Sequence, residues 1–324
     1  MYSVLIIGCG NIAGGFDNDR ASDALPFTHA GAFTRHPEFT VAACVDPDEA
    51  RRTAFQRRWN VGEAAALVAE LGAAPGQFAV VSICSPTSCH AEHIEAALAL
   101  EPRLIFCEKP VAPSSSETRS LAERCAAAGV GLAVNYTRRW APDVVLLAEE
   151  LAAGKWGKVH SAAGIYTKGV VHNGGHMVDL LQLLLGPPEL VAAGAPSFDH
   201  WQDDPSVPAL LDSGGVPIVL SIGDARDYAL FELTLVAEAG TITMLDGGLS
   251  WAVRRVGDSD ISAGYRALGP AESRVGEYDR AMLTAVENIA GFLNSGMALA
   301  SDAGNALTAQ ILCEAIRDTS SSSQ

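Results

Sequence analysis

Val4-Leu5-Ile6-Ile7-Gly8-Cys9-Gly10-Asn11-Ile12-Ala13 is the stretch that decides the fold. A short apolar run breaks at once into a glycine-rich turn of the form G-x-G-x-x-G/A, with alanine in the last place. Steric reasons demand these residue types. Gly8 permits the tight turn, Gly10 lets backbone N–H groups approach a pyrophosphate, and a small side chain at Ala13 lets helix pack on strand. The positive end of the helix then faces the phosphates. Gly8, Gly10, Asn11, Ile12 and Ala13 are therefore candidate dinucleotide contacts. Gly-rich strand–helix turns also occur without a ligand, so a second feature is required.

That feature is an acid at the end of the second strand, about 20 residues beyond the fingerprint, which accepts hydrogen bonds from a ribose. Asp46 ends the run Thr40–Val45 but lies 33 residues after Ala13. The excess has a visible source: Gly14–Phe27 is rich in Gly, Asp, Ser and Pro and interrupts what should be one helix. Without those fourteen residues the spacing falls to 19. Asp46 would repel a 2′-phosphate, which favours NAD over NADP; the bland alternative is that it only caps the Pro47–Trp59 helix. The insertion starts inside the phosphate turn, so Phe16, Asp17 and His29 either border the substrate or belong to a solvated loop.

Working outward, Val4–Ile7, Thr40–Val45, Phe78–Ile83, Leu104–Cys107 and Gly131–Asn135 read as buried strands. Between them Glu49–Trp59, Cys89–Leu100 and Ser115–Ala128 carry helical periodicity, the alternation of a doubly wound parallel sheet. After about residue 150 the pattern changes. Seven candidate strands between His160 and Val256 are separated by short turns, interrupted by one helix over Gly175–Leu185, which implies a mostly antiparallel open sheet. Asp279–Leu293 and Asp302–Asp318 read as closing helices and Ser320–Gln324 as a disordered tail. The expected fold is α/β: a Rossmann domain over residues 1–138, then an α+β domain over 139–324 whose last helices can return to the first domain.

Three more motifs stand where hydride transfer needs them: Ser85-Pro86-Thr87-Ser88-Cys89-His90 after the third strand, Glu108-Lys109-Pro110 after the fourth, and His172-Asn173-Gly174-Gly175-His176-Met177-Val178-Asp179 leading into a helix. This ordered set resembles the glucose–fructose oxidoreductase/inositol dehydrogenase (Gfo/Idh/MocA) family over nearly the whole chain. The resemblance implies an NAD(P)-dependent enzyme acting on a secondary alcohol or ketone of a sugar, cyclitol or nucleotide-sugar. It implies that Lys109 contacts the reacting group, that a cis bond joins it to Pro110, and that His176 is the acid/base. It places Ser85, Pro86, Thr87, His90, Glu108, Asn135 and Arg139 along the cofactor, and gives the second domain a sheet that pairs into homodimers or homotetramers. Many members carry an aspartate four residues before the histidine; here that position is His172, followed by Asn173.

Residue chemistry supports these roles independently. Alcohol oxidation needs a base, and an imidazole titrating near neutrality or a lysine in a buried setting suits it. Asp179 lies one turn beyond His176 and can share its face. Tyr166 and Lys168 either face the substrate or are solvated. Arg138 and Arg139 form an anion-binding pair or a junction salt bridge, and Trp140 is a candidate stacking ring. Arg51, Arg52, Arg57 and Arg58 read as a solvated helix face.

Composition excludes other classes. Lys plus Arg number 22 against 38 Asp plus Glu, a net charge of −16, which argues against nucleic acid or anionic membrane as partners. No apolar stretch reaches bilayer-spanning length and no secretory signal pattern is visible. Seven cysteines without a C-x-x-C pair suggest reduced thiols in a cytoplasmic protein, with no metal site. Two other functions fit the family pattern: a lyase or glycosidase using transient oxidation, and a dinucleotide-responsive binding protein. The presence of both Lys109 and His176 argues against the binder.

Overall fold

Short runs of Val, Ile, Leu and Phe, buried on both faces, form the first sheet. The computed structural model describes residues 1–21, 23–261 and 263–321. The chain forms two compact units: Met1–Trp140 with Asp279–Leu307, and Ala141–Tyr278 with the described chain from Thr308 onward.

In the first unit, β1 (Tyr2–Ile7), β2 (Phe39–Val45), β3 (Glu63–Ala65), β4 (Val80–Ile83), β5 (Leu104–Cys107) and β6 (Gly131–Val134) lie in the order β3-β2-β1-β4-β5-β6. Every pair is parallel. The helices α1 (His29–Arg35), α2 (Glu49–Trp59), α3 (His90–Leu98) and α4 (Ser115–Ala127) alternate with them. The chain order reverses between β1 and β4, so their carboxyl ends open a crevice at the switch point, where sheets of this kind take ligands. The edge strand β3 has only three residues, none fully buried, and no apolar run announces it. Residues 279–307 bring α7 (Ala281–Ser295) back to this unit. Trp140 Nε1 donates to Asn288 Oδ1 at 3.0 Å, Tyr2 to Asn294 at 2.7 Å, and Asp302 pairs with Ala133.

The insertion interrupts the first helix without dislocating it. Gly14 N–H bonds to Gly10 O and Phe16 N–H to Asn11 O, closing one turn. The carbonyls of Ile12 and Ala13 then accept from the N–H groups of His29 and Ala30 at 3.2 and 2.8 Å. In an unbroken helix residues 16 and 17 would fill those places, so thirteen residues loop out and α1 resumes in register. Asp17 closes the loop from within. Its carboxylate accepts from the N–H of Phe27 at 3.0 Å, the N–H of Thr28 at 3.1 Å and the Thr28 hydroxyl at 2.5 Å. Phe16 is exposed, whereas Asp17 and His29 are buried. The solvated-loop reading is thus wrong for those two residues, and neither offers a surface to a substrate.

In the second unit β7 (Val159–Tyr166), β8 (Glu189–Ala193), β9 (Ala209–Ser213), β10 (Val216–Ile222), β11 (Phe231–Ala237), β12 (Gly240–Leu245), β13 (Ser250–Asp258) and β14 (Arg266–Leu268) form a sheet ordered β14-β13-β12-β11-β7-β10-β9-β8, with β15 (Glu272–Val275) on β13. Only β7 and β10 run parallel; the other pairs are antiparallel. Alternating burial along β11 and β12 gives the sheet a packed face and an open one. The helix α6 (Gly174–Leu185) interrupts the strands as expected, and α5 (Pro142–Ala152) precedes them with proline in its first turn. The closing helix α8 runs over Ala303–Ser321. Ser320 therefore belongs to a helix rather than a disordered tail, and 322–324 lie outside the described residues.

Replacing Asp17 by Ala strands two N–H groups and a hydroxyl in a buried loop. At roughly 1–3 kcal/mol for each unmet group, urea unfolding should show a loss of about 3 kcal/mol. A loss below about 0.5 kcal/mol would mean that the loop is held by other contacts.

Candidate functional site

At the switch point the two strand ends nearly touch. Gly8 has φ +89°, and a Cβ there would fall 2.7 Å from the backbone N of Ser85, so only glycine fits between the turn after β1 and the segment after β4. Gly10 differs. A Cβ there would meet nothing within 4 Å, so the protein itself does not require glycine at this place. An open glycine turn, whose one closed turn is carried on by α1, fits a pyrophosphate. A cavity of about 180 Å³ adjoins it, lined by the turn (Cys9, Gly10, Asn11) and by Arg51, Ala54, Phe55 and Trp59 of α2.

Asp46 is buried beside the turn. Its Oδ2 accepts the N–H of Cys9 at 2.8 Å and its Oδ1 that of Asp48 at 2.9 Å. Asp48, not Asp46, caps α2, by accepting the N–H of Arg51. The capping alternative for Asp46 therefore fails. Arg51 approaches Asp46 Oδ2 at 3.7 Å; Arg51, Arg57 and Arg58 are exposed, as a solvated helix face requires, and Arg52 is half-buried. Arg52 donates to the Asp46 carbonyl at 2.5 Å and Arg58 to the Asp17 carbonyl at 3.3 Å, tying α2 to both loops.

Around the Glu-Lys-Pro motif, two residues expected to touch cofactor turn out to position others. His90 is buried, with its ring nitrogens facing the carbonyl oxygens of Pro110 at 2.9 Å and Ser85 at 2.8 Å. It links the segments after β4 and β5 and offers no surface to a ligand. Asn135 is also buried and donates to Glu108 Oε1 at 2.6 Å. His29 reaches the same oxygen through Nε2 at 2.9 Å, while its Nδ1 faces Ser82 Oγ at 2.7 Å. Burial favours the neutral ring of His29, but Cys84 and the Glu108 carboxylate outweigh it and lift the imidazole to about 10. Burial likewise raises Glu108, yet His29, Asn135 and Lys109 hold its carboxyl below the usual range. Lys109 follows directly, half-buried, with the expected cis bond to Pro110. Ser85 and Thr87 are half-buried and Pro86 exposed; the Ser85 hydroxyl is held by His93 Nδ1 at 2.8 Å. Arg139 is half-buried, whereas Trp140 lies in the core, edge-on to Phe106, and is no stacking platform.

In the second unit Tyr166 is fully buried. Its hydroxyl donates to Val207 O at 2.8 Å and accepts Val207 N–H at 3.0 Å, so it is a structural residue rather than a substrate contact. Lys168 is half-buried in the left-handed region, its N–H on Asp199 Oδ2 at 2.9 Å. A π-turn, Gly169–Asn173, leads into α6. Asn173 Nδ2 bonds to the Thr167 carbonyl at 2.9 Å. His176 lies half-buried in the first turn of α6, and Asp179 is buried one turn later. The sequence reading missed Asp204. Its carboxylate takes His172 Nδ1 at 2.7 Å and the N–H groups of Val171 and His172 at 3.0 and 2.8 Å. It comes from a distant loop, and no local spacing marks it. Among the described residues no cluster of His, Cys, Asp or Glu is placed to hold a metal ion, no helix is long and apolar enough to cross a membrane, and none of the seven cysteines forms a disulfide.

The buried His29–Glu108 pair sets a pH dependence. His29 is raised in the folded state, so its stabilisation is complete below about pH 6.5 and is lost as pH climbs toward 10. Glu108 is lowered, so its share is present above about pH 4.5 and lost below that. Unfolding free energy should fall by a few kcal/mol between pH 7 and 10 in the wild type and much less in His29→Gln. Parallel curves for the two would contradict the pairing.

Residues 2–136 match the family model described as the oxidoreductase family with an NAD-binding Rossmann fold. The D-glucoside 3-dehydrogenase of Escherichia coli (strain K12) is 28% identical over 192 residues, covering 53% of this chain and 50% of that protein. The chain thus spans about half the length of this curated relative. Among solved structures, an NAD-binding oxidoreductase from Klebsiella pneumoniae superposes with TM-score 0.79 at 19% identity over 100% of this chain and 97% of that one. A 3-ketoreductase from Actinomadura kijaniata in complex with NADP gives 0.75 at 20% over 98% and 97%. An oxidoreductase from Agrobacterium radiobacter in complex with NAD+, L-tartaric acid and magnesium gives 0.74 at 18% over 100% and 97%. Residues 2–136 are thus similar to the Gfo/Idh/MocA oxidoreductase family, described by its NAD-binding Rossmann fold.

Proposed function

We propose that this protein is an NAD-dependent oxidoreductase that moves a hydride between nicotinamide and a secondary alcohol or ketone of a sugar, cyclitol or nucleotide-activated sugar. The observation that carries this reading is the open cradle at Gly10 beside the fitted Gly8–Ser85 approach. Asn11, Ile12 and Ala13 line the phosphate turn, Ser85, Pro86 and Thr87 flank it from β4, and Arg139 is kept as an outer contact. When bound, the nicotinamide supplies the hydride acceptor or donor. Lys109 holds the reacting oxygen by donating from its ammonium, and His176 takes or returns the hydroxyl proton. Glu108, fixed by His29 and Asn135, steadies the backbone that carries Lys109. Lys168, Asn173 and Asp179 are the remaining candidates for the substrate side.

Asp46 supports NAD over NADP, because a buried carboxylate beside the turn repels a 2′-phosphate. The names of the relatives support a polyol-type substrate. Cysteines outside disulfides suit a reducing compartment such as the cytoplasm. Self-association into dimers or tetramers is supported by the open sheet face. There Leu210, Val219, Ala163, Thr234 and Thr243 align across five strands, with Leu210 and Val219 exposed. Sedimentation velocity should read a dimer or larger; a monomer at micromolar concentration would contradict that.

Steady-state kinetics with methyl β-D-glucopyranoside and myo-inositol test the catalytic reading. KM should be lower for NAD than for NADP, and Asp46→Ala should narrow the gap about tenfold or more, because Arg51 remains to meet the phosphate. Lys109→Ala and His176→Ala should each lower kcat by about 10². Near-full turnover in both, or a lower wild-type KM for NADP, would overturn the respective assignment.

A further inference from the structure

His172 is held more firmly than a side chain at a helix entrance needs to be. The π-turn that carries it is an uncommon geometry concentrated at functional sites. The turn is fitted to Asp204: a Cβ at Gly169 (φ +85°) would fall 2.1 Å from Asp204 Oδ2. The Asp204 side chain is only 5% exposed, yet its partner His172 keeps 35% of its side chain accessible. Besides its two backbone N–H groups, the carboxylate takes the ring Nδ1. On its face the ring stacks on Trp201 at 4.8 Å and 23°, with His200 edge-on to the same indole at 4.7 Å. A second buried carboxylate, Asp199, pins this loop through Lys168 N–H, Ala225 N–H and the Ser206 hydroxyl. Of the titratable groups, Asp204 meets the imidazole at Nδ1 and His200 lies across the Trp201 indole that stacks on it.

A carboxylate that only capped the turn would bind the two N–H groups and leave the ring alone. Here it also fixes the tautomer: Nδ1 carries the proton that Asp204 accepts, so Nε2 is the basic atom. We propose that His172 and Asp204 form a second proton-transfer pair, which passes the substrate proton between His176 and water. Positions 172 and 176 are four residues apart, His172 in the π-turn and His176 in the first turn of α6 that follows it. The inference rests on the oxidoreductase reading above.

In the oxidising direction the carbinol C–H bond breaks and its hydride goes to the oxidised nicotinamide. The O–H bond breaks too, and its electron pair becomes the second C–O bond. The proton passes to His176, then to His172 Nε2, then to water. Asp204 stays ionised throughout and offsets the transient imidazolium. Reduction runs the same path backwards. His172 acts on the proton, and Asp204 is a positioning residue that acts through it.

Two readouts decide the matter. In protein labelled with 15N at histidine, the His172 signals, identified by their loss in His172→Gln, should show the Nδ1–H tautomer with a strongly deshielded proton, and Asp204→Asn should remove that feature. An Nε2–H tautomer in the wild type overturns the pair whether or not turnover is seen. With methyl β-D-glucopyranoside and NAD, His172→Gly and Asp204→Asn should lower kcat about tenfold, with KM for NAD within about twofold. Added imidazole should restore much of the loss in His172→Gly. Wild-type kcat in His172→Gly, where Lys109→Ala is inactive, overturns the relay and leaves the oxidoreductase reading intact. Full turnover in Lys109→Ala and His176→Ala would instead strike at that reading.

Discussion

Two strand ends can meet at the switch point only because position 8 has no side chain. Gly8 brings the turn after β1 within van der Waals reach of the Ser85 backbone, and the nucleotide end of the first unit is built on that approach. The N–H of Gly8 bonds to the Val45 carbonyl at 2.7 Å, and Cys9 N–H reaches Asp46, so three strand ends are drawn together around one residue. The switch point needs this closeness to gather groups from separate segments, since parallel strands supply ligand contacts only from their carboxyl ends.

Buried carboxylates then fix the parts that strands do not. Asp17 closes the insertion, Asp46 ties the phosphate turn to the start of α2, Glu108 binds α1 to the end of β6 through His29 and Asn135, and Asp204 shapes the π-turn before α6. Each accepts several N–H or O–H donors at once, an arrangement that makes a buried anion affordable and its loss costly. The sites are loops held rigid by charge-assisted hydrogen bonds, on a scaffold held by apolar burial.

What the sequence made legible follows from this division. Strands buried on both faces are continuous apolar runs, so β1, β2, β4, β5 and β6 were readable, as was the change to an antiparallel sheet. The Gly fingerprint, Asp46 and Glu-Lys-Pro were readable because local spacing dictates them. Even the length of the insertion was visible to within one residue, because the helix resumes in register at His29. Long-range partners were not readable. Nothing near His172 points to Asp204 some thirty residues away, and nothing in His90 or Tyr166 distinguishes a ligand contact from a buried side chain satisfied by a distant carbonyl. Trp140 is a like case, since a ring in the turn that follows a strand looks alike whether it meets a ligand or Phe106.

The proposed function depends on a pyrophosphate lying against Gly10. A side chain there would touch nothing in the protein itself, and the backbone is not in the left-handed region that favours glycine. Calorimetric titration of NADH into the wild type and into Gly10→Val tests this most directly. NADH should bind the wild type, with affinity lowered tenfold or more in a variant that melts at the same temperature. Equal affinity in the two proteins, or no binding to the wild type, would contradict it.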